Sequence, residues 1–145
     1  LDTLQAAFLR VKLKHLNAYA RQRGEVAKRY DEAFSGHANL KAPARSESST
    51  HVFHQYTLQL CGISREALRS YLAEKEIPSM IYYPIPLHMQ KAYASSRYPQ
   101  GSLPIAETLS ACVLSLPMSP ELSQDQQQYI IDHVLTFCTN STHSS

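Results

Sequence analysis

Apolar side chains recur at helical intervals through the first 34 residues of the chain, and this pattern predicts a helix in two pieces. Gly36 follows the pattern at the position of a C-terminal cap. The first piece, up to Leu16, is apolar around most of its circumference, which is typical of a helix that is buried on most sides. A chain of 145 residues has few elements with which to cover such a helix. We therefore expect its contacts to include another domain or another subunit.

The middle of the sequence predicts a small sheet. Two runs that are rich in β-branched and aromatic residues, 51–60 and 77–83, are typical of strands. Between them, Ser64 is a suitable N-cap for a helix that ends near Lys75. This strand–helix–strand unit is long enough for a crossover between parallel strands, and antiparallel pairing with other strands remains open.

The last third of the sequence predicts a helix over 103–112, a short strand over 113–116 and a final helix that ends near Phe137. Together the elements predict the α+β class, with a small sheet that is covered by helices and preceded by a long connecting helix. The expected parts are connecting helices in residues 1–35, a small α+β domain in residues 36–138 and a disordered polar tail in residues 139–145.

Charge and cysteine usage narrow the class of protein. The formal net charge of +2 argues against nucleic-acid binding that is driven by bulk electrostatics. No apolar run approaches the length of about 18 residues that a membrane-spanning helix needs, and no signal peptide is recognisable, so we expect a cytoplasmic protein without a membrane partner. The three cysteines lack CxxC spacing, which favours reduced and buried thiols.

The strongest candidate for a ligand site is the loop after the second run. Its prolines, Pro84 and Pro86, fix φ and lack an N–H donor, so the loop is rigid. Phenols, aromatic rings and an imidazole suit a phosphate, a carboxylate or a sugar hydroxyl. A packed loop with surface aromatics is the alternative. The side chains that carry this hypothesis are Tyr82, Tyr83, His88 and Gln90.

Two histidines lie three residues apart in the first run. On a strand, His51 and His54 face opposite sides, which makes them poor joint ligands, and we expect no metal site there. His54 shares a strand face with Tyr56, so the two side chains could line a cleft together. A structural or solvated role is the alternative.

No complete catalytic set is recognisable in the sequence. The GxSxG, GxGxxG and GxxxxGK[ST] patterns do not occur. A lysine that forms a Schiff base should be desolvated or lie beside a cation, and none of the six lysines has such a setting in the sequence. We therefore expect no covalent catalysis by this chain alone.

Segments along nearly the whole chain resemble, in order, the C-terminal region of sugar aminotransferases of the DegT/DnrJ/EryC1/StrS family. The matching segments are 1–16, 29–34, 51–60, 77–93 and 103–134. The resemblance implies the small C-terminal domain of the aspartate-aminotransferase-like fold, in an enzyme that depends on pyridoxal phosphate (PLP). It also implies transfer of an amino group from glutamate to a nucleotide-linked ketosugar, in polysaccharide or secondary-metabolite sugar biosynthesis. The YPIPLH loop is more similar to the branch that uses UDP-sugars.

The resemblance also assigns expected roles to single residues. Tyr83 matches the tyrosine of the family's His-Tyr-Pro segment, which helps to hold the nucleotide sugar, whereas Tyr82 replaces the histidine. His88 and Gln90 match the Pro-x-Pro-Leu-His-x-Gln pattern, and His54 matches a recurring strand histidine. The resemblance implies substrate binding or loop positioning for these residues, and no role in proton transfer.

Other functional groups of the family lie outside this chain. The lysine that binds PLP, the aspartate that faces the pyridine nitrogen and the main phosphate contacts are N-terminal to the matching region, so the chain alone should be inactive. Homodimerisation through the large domain and the first helix is implied as well. The alternatives are a non-enzymatic binding or regulatory member of the same fold, and an autonomous ligand-binding α+β domain.

Overall fold

The structure is a computed structural model that describes residues 2–142; Leu1, residues 143–145 and the side chain of Thr142 lie outside the described part. Within that part, no helix is both long and apolar enough to cross a lipid bilayer. The helices are α1 (Thr3–Leu13), α2 (Leu16–Phe34), α3 (Arg65–Glu74), α4 (Pro104–Cys112) and α5 (Gln124–Thr142), with a 3-10 turn at Leu87–Met89. The strands are β1 (Leu40–Lys41), β2 (Tyr56–Leu60) and β3 (Val113–Leu116).

The three strands form one antiparallel sheet in the order β1-β2-β3. Buried side chains alternate along β2, and Leu58 in its centre lies opposite Leu114 of β3. The buried side chains of α2, α3 and α5 join those of the sheet in one hydrophobic core. Because a sheet that is apolar on one face must bury that face against helices, this arrangement is the predicted α+β class.

Local signals set the helix ends as expected. The Ser64 hydroxyl accepts from the Ala67 N–H at 3.2 Å and caps α3. Ser123 and Gln126 form the reciprocal bonds of a capping box before α5. Gly36 follows α2 with a φ of +74°, in the left-handed region that a glycine adopts without strain.

The first predicted strand is five residues too long at its N-terminal end. Residues 51–55 form no strand, and β2 begins at Tyr56. Phe53 has a φ of +47°, and its N–H donates to Nδ1 of His51 at 2.9 Å, which turns the backbone. The turn places the Phe53 ring in the core at 2% exposure, so burial of this ring replaces strand pairing.

The second predicted strand, 77–83, is reduced to a single antiparallel bridge between Met80 and Ser115 of β3. Pro78 lacks an N–H donor, and the φ of +57° at Tyr83 is incompatible with extended backbone. Both β2 and the segment at Met80 are antiparallel to β3, so these two segments have the same direction. The connection between them through α3 is therefore a crossover.

The hydrophobic core extends across residue 35, the predicted boundary between the connecting helices and the α+β domain. Val26, Tyr30 and Phe34 are buried together with the sheet, and the Tyr30 phenol donates to the carbonyl of Pro117 at 3.1 Å. The second half of α2 therefore belongs to the α+β unit. Within the described residues α1 contributes no buried side chain, so the expectation that other parts of a larger protein cover it remains a prediction.

The last helix is longer than predicted. α5 continues past Phe137 to Thr142, and the prediction of a disordered tail is wrong for residues 139–142. Cys138 packs this end of the helix into the core, where its side chain is fully buried. Residues 143–145 of the predicted tail lie outside the described residues.

Burial of the cysteines differs from the prediction at two of the three positions. Cys138 is buried, whereas Cys61 is exposed and Cys112 is half-buried, and all three are free thiols. Burial raises the pKa of the Cys138 thiol to about 11, so this side chain stays protonated and apolar at neutral pH.

Candidate functional site

Tyr83 has a strained backbone that its own packing does not explain. Its φ of +57° is an outlier for a bulky residue, and yet its side chain is 80% exposed. Phe53 has a similar φ, but there the buried ring accounts for the conformation. Strain of this kind is concentrated at sites that bind ligands. Among the predicted site residues, Tyr83 is therefore the first candidate for a group that contacts a ligand.

A shallow pocket beside the end of β3 brings two of the predicted residues together. Its volume is about 190 Å³, and His54 and Tyr82 contribute to its lining with Gln55 and Ser115. Met80 adds apolar surface. Pockets for drug-sized ligands begin at about 300 Å³, so this one is large enough for one ring of a bigger ligand. An imidazole, an amide and a phenol at its wall can bond to hydroxyl groups.

A larger pocket of about 480 Å³ lies between α5 and the turn at Ile77 and Pro78. Its lining is mostly apolar and includes none of the predicted site residues. We therefore place the candidate site at the smaller pocket and the loop beside it.

The predicted pairing of His54 with Tyr56 is wrong. His54 lies in the bend before β2, so it has no strand face, and its side chain is exposed at the pocket. Tyr56 is fully buried, and its phenol donates to Oδ1 of Asp31 at 2.7 Å. Burial and this bond both raise the pKa of the Tyr56 phenol, which therefore stays neutral. Tyr56 is a core residue.

His88 and Gln90 make their contacts inside the loop. The His88 side chain is only 7% exposed, and its Nε2 lies 3.1 Å from Oε1 of Glu107. The Gln90 side-chain amide donates to the carbonyl of Ile85 at 3.3 Å. Of the two roles expected for these residues, this geometry fits loop positioning better than direct contact with a ligand.

Glu107, in the first turn of α4, connects His88 in the candidate loop to the segment just before α4. Its carboxylate accepts the Gly101 N–H at 2.9 and 3.0 Å and the Leu103 N–H at 3.3 Å, besides the His88 ring. Because an ionised carboxylate has no proton to give, the Nε2 of His88 must be the donor in that pair. One side chain thus joins residue 88 to residues 101 and 103.

The charge of Glu107 makes this junction sensitive to acid. Burial disfavours the charged form, but the donors of Gly101, His88 and Leu103 outweigh that effect and hold the pKa of Glu107 below its ordinary value. A carboxyl whose pKa is lowered by folding stabilises the folded state above its unfolded pKa, which is about 4.3 for glutamate. That contribution is lost as the pH falls through the lowered folded value.

We expect the Gly101 amide proton to report this titration in NMR spectra of the chain. Its resonance should shift with an apparent pKa below about 4.3, the ordinary value for glutamate. The same shift should vanish in Glu107→Gln, whereas Glu74→Gln, which changes an exposed carboxylate at the end of α3, should leave it unchanged. A midpoint at or above the ordinary value would contradict the assignment.

The sequence analysis missed the two α4 residues that hold the loop, Glu107 and Ser110. Ser110 donates its hydroxyl proton to the carbonyl of Tyr83 at 2.8 Å. An acidic residue in the first turn of a helix was the one available signal for Glu107, because it is favourable beside the helix N-terminus. The sequence contains no comparable signal for Ser110, since its partner lies 27 residues away.

Comparison with known proteins supports one family along most of the chain. The model of the DegT/DnrJ/EryC1/StrS aminotransferase family matches residues 1–135. The chain spans about a third of the length of the curated relatives that it matches, with 37% of one and 33% of another covered.

Individual relatives are similar in sequence and in structure. The Pleiotropic regulatory protein of Geobacillus stearothermophilus is 40% identical over 94% of this chain. The UDP-N-acetyl-3-dehydro-alpha-D-glucosamine 3-aminotransferase of Acidithiobacillus ferrooxidans is 44% identical over 87% of it. Proteins named as transaminases of dTDP-linked sugars match as well. The crystal structure of Streptomyces venezuelae DesV, in complex with a ketimine intermediate, superimposes with a TM-score of 0.89 and 36% identity, covering 95% of this chain and 37% of DesV.

Proposed function

Because the chain belongs to the DegT/DnrJ/EryC1/StrS aminotransferase family, we propose that it is the C-terminal small domain of a longer enzyme that transfers an amino group from glutamate to a nucleotide-linked ketosugar. The observation that carries the proposal is the exposed, strained Tyr83 beside the pocket of His54 and Tyr82, within a region that matches the family. A UDP-sugar is the proposed substrate, in line with the 44% identical relative that is named for one.

The residues of this chain do not fit a PLP site. Five of its six lysines are exposed. The sixth, Lys75, is half-buried, and its ammonium group lies 5.8 Å from the centre of the Tyr71 ring, in a cation–π contact. A lysine that forms a Schiff base is instead desolvated or lies beside another cation. We therefore place the cofactor lysine outside this chain and expect the chain alone to be inactive.

The part played by this chain is then to bind and orient the sugar nucleotide. The pocket of about 190 Å³ accepts one ring, and the exposed Tyr83 offers a phenol and a face for stacking beside it. His88 and Gln90 stabilise the loop conformation through hydrogen bonds, His88 with Glu107 and Gln90 with the carbonyl of Ile85. This division separates the groups that touch substrate, Tyr82, Tyr83 and His54, from the groups that support them.

The apolar surface of α1 belongs to the same proposal. Its exposed residues are Leu4, Phe8, Leu9, Val11 and Leu13, followed by Leu16 at the start of α2. A contiguous apolar surface of this kind usually marks an interface. We place the remainder of the longer enzyme, and its second subunit in a homodimer, against this helix.

A non-enzymatic regulatory protein is the second candidate, since the Geobacillus stearothermophilus relative is named as a regulatory protein. An absorbance spectrum of the full-length protein with added PLP distinguishes the two. A band of bound PLP that changes when glutamate is added supports the aminotransferase. Failure to bind PLP would contradict the aminotransferase proposal and favour a regulatory protein.

Tyr83→Phe in the full-length protein should weaken binding of the sugar nucleotide about three- to ten-fold, the effect of one lost hydrogen bond. Binding of PLP should be unchanged, because the loop is proposed to reach substrate and not cofactor. Titration calorimetry with each ligand measures both, and Tyr129→Phe, at an exposed tyrosine on α5, is the matched control. Equal loss of both affinities, or of neither, would contradict the role of Tyr83.

A further inference from the structure

The backbone of Tyr83 is held by a residue outside the candidate loop. The hydroxyl of Ser110, on α4, donates to the Tyr83 carbonyl at 2.8 Å. A serine within a helix commonly donates to a carbonyl of its own helix instead. The following residue is Pro84, whose ring favours extended backbone at the residue before it, so the left-handed φ of Tyr83 needs support from another contact. The bond from Ser110 is a contact of this kind.

Ser110 is itself fixed from the other side. Nη1 of Arg65, at the start of α3, donates to the Ser110 carbonyl. The Arg65 side chain is only 14% exposed, and its Nη2 lies 3.0 Å from Oε1 of Glu66. A planar guanidinium with several bonds is a rigid donor. The order of contacts therefore runs from α3 through the end of α4 to the exposed tyrosine.

From these contacts we infer that Ser110, fixed by Arg65, is a positioning residue that presets Tyr83 for the nucleotide sugar. The inference rests on the proposed function, because it needs Tyr83 to contact that ligand. Ser110 touches no substrate itself. A side chain that is already held in its bound conformation loses less conformational entropy when the ligand binds. The affinity for the sugar nucleotide should therefore depend on the hydrogen bond from Ser110 to the Tyr83 carbonyl. Without the hydroxyl, the Tyr83 backbone can relax to an ordinary φ and carry the exposed ring away.

The test uses the full-length protein with UDP-N-acetylglucosamine and dTDP-glucose as probes in titration calorimetry. Ser110→Ala should weaken binding of the preferred probe about three- to ten-fold, as expected for one hydrogen bond. Ser110→Thr keeps the hydroxyl and should bind like the wild type. Arg65→Lys should weaken binding in the same direction but less. Ser70→Ala, at an exposed position on α3, is the matched control and should have no effect.

A double-mutant cycle separates positioning from a general structural role. If Ser110 acts through Tyr83, then Ser110→Ala should cause no further loss of affinity in a Tyr83→Ala background. Additive losses would overturn the inference, and so would wild-type affinity in Ser110→Ala. Both of these results leave the proposed function intact. Failure of the wild type to bind either probe would instead overturn the proposed function, and the inference with it.

Discussion

Leu58→Ala is expected to lower the free energy of unfolding of this chain by about 3 kcal/mol, in the middle of the range for such core truncations. Leu58 is fully buried in the central strand, opposite Leu114, and belongs to the core that the helices share with the sheet. The loss combines the transfer free energy of the missing methyl groups with the cavity that remains between the sheet and the helices that cover it. For a domain of this size the melting temperature should fall by roughly 10 °C.

Urea denaturation followed by circular dichroism measures the change, and the same substitution on the surface provides the control. Leu13→Ala, on α1, removes the same atoms from a side chain that is 67% exposed in this chain. Since alanine is also the better helix former, that variant should be as stable as the wild type or slightly more so. A loss below about 0.5 kcal/mol for Leu58→Ala, a value typical of surface changes, would show that the core is not packed as described.

Phe8→Asp is expected to have opposite outcomes in the two forms of the protein. In this chain Phe8 is 69% exposed, so a carboxylate there remains hydrated and stability should hardly change. In the full-length protein we propose that α1 is covered. An unpaired charge at a buried interface costs about 3–5 kcal/mol. That variant should therefore dissociate, aggregate or unfold at a markedly lower temperature.

Thermal unfolding and size-exclusion chromatography of both forms test this difference. Thr136→Asp, on the exposed face of α5, adds the same charge to a helix and is the control for a general effect of charge. Wild-type behaviour of Phe8→Asp in the full-length protein would mean that α1 remains in water there as well. The proposed packing of the rest of the enzyme on this helix would then be wrong.

Helices were predicted well because their signals are local. The N-cap at Ser64, the capping box of Ser123 with Gln126 and the proline at the start of α4 all act within one turn. Both capping interactions join residues that are at most three positions apart in the chain. The error at the end of α5 has a different origin, since packing of Cys138 into the core extends a polar helix end that composition alone predicts to be disordered.

Strands were predicted less well because a strand needs a partner that the local sequence does not reveal. Residues 51–55 and 77–83 have the composition of strands, but the first segment turns to bury Phe53 and the second makes one bridge at Met80. Extended loops and strands use the same residue types. The position of β3 decides which residues of these segments form backbone hydrogen bonds with a neighbouring strand. That position depends on contacts between residues that are distant in sequence.

At the candidate site, the chemical groups and the rigidity of their loop follow from residue identity: the tyrosines, the histidines and the two prolines. Which of these groups can face a ligand depends on how the chain packs. This packing leaves Tyr83 exposed, turns the His88 ring onto Glu107 and holds the Tyr83 backbone with Ser110. The physical reason is that side-chain identity is local, whereas burial and hydrogen bonding depend on α4, whose contacts to the loop cross up to 27 residues of sequence.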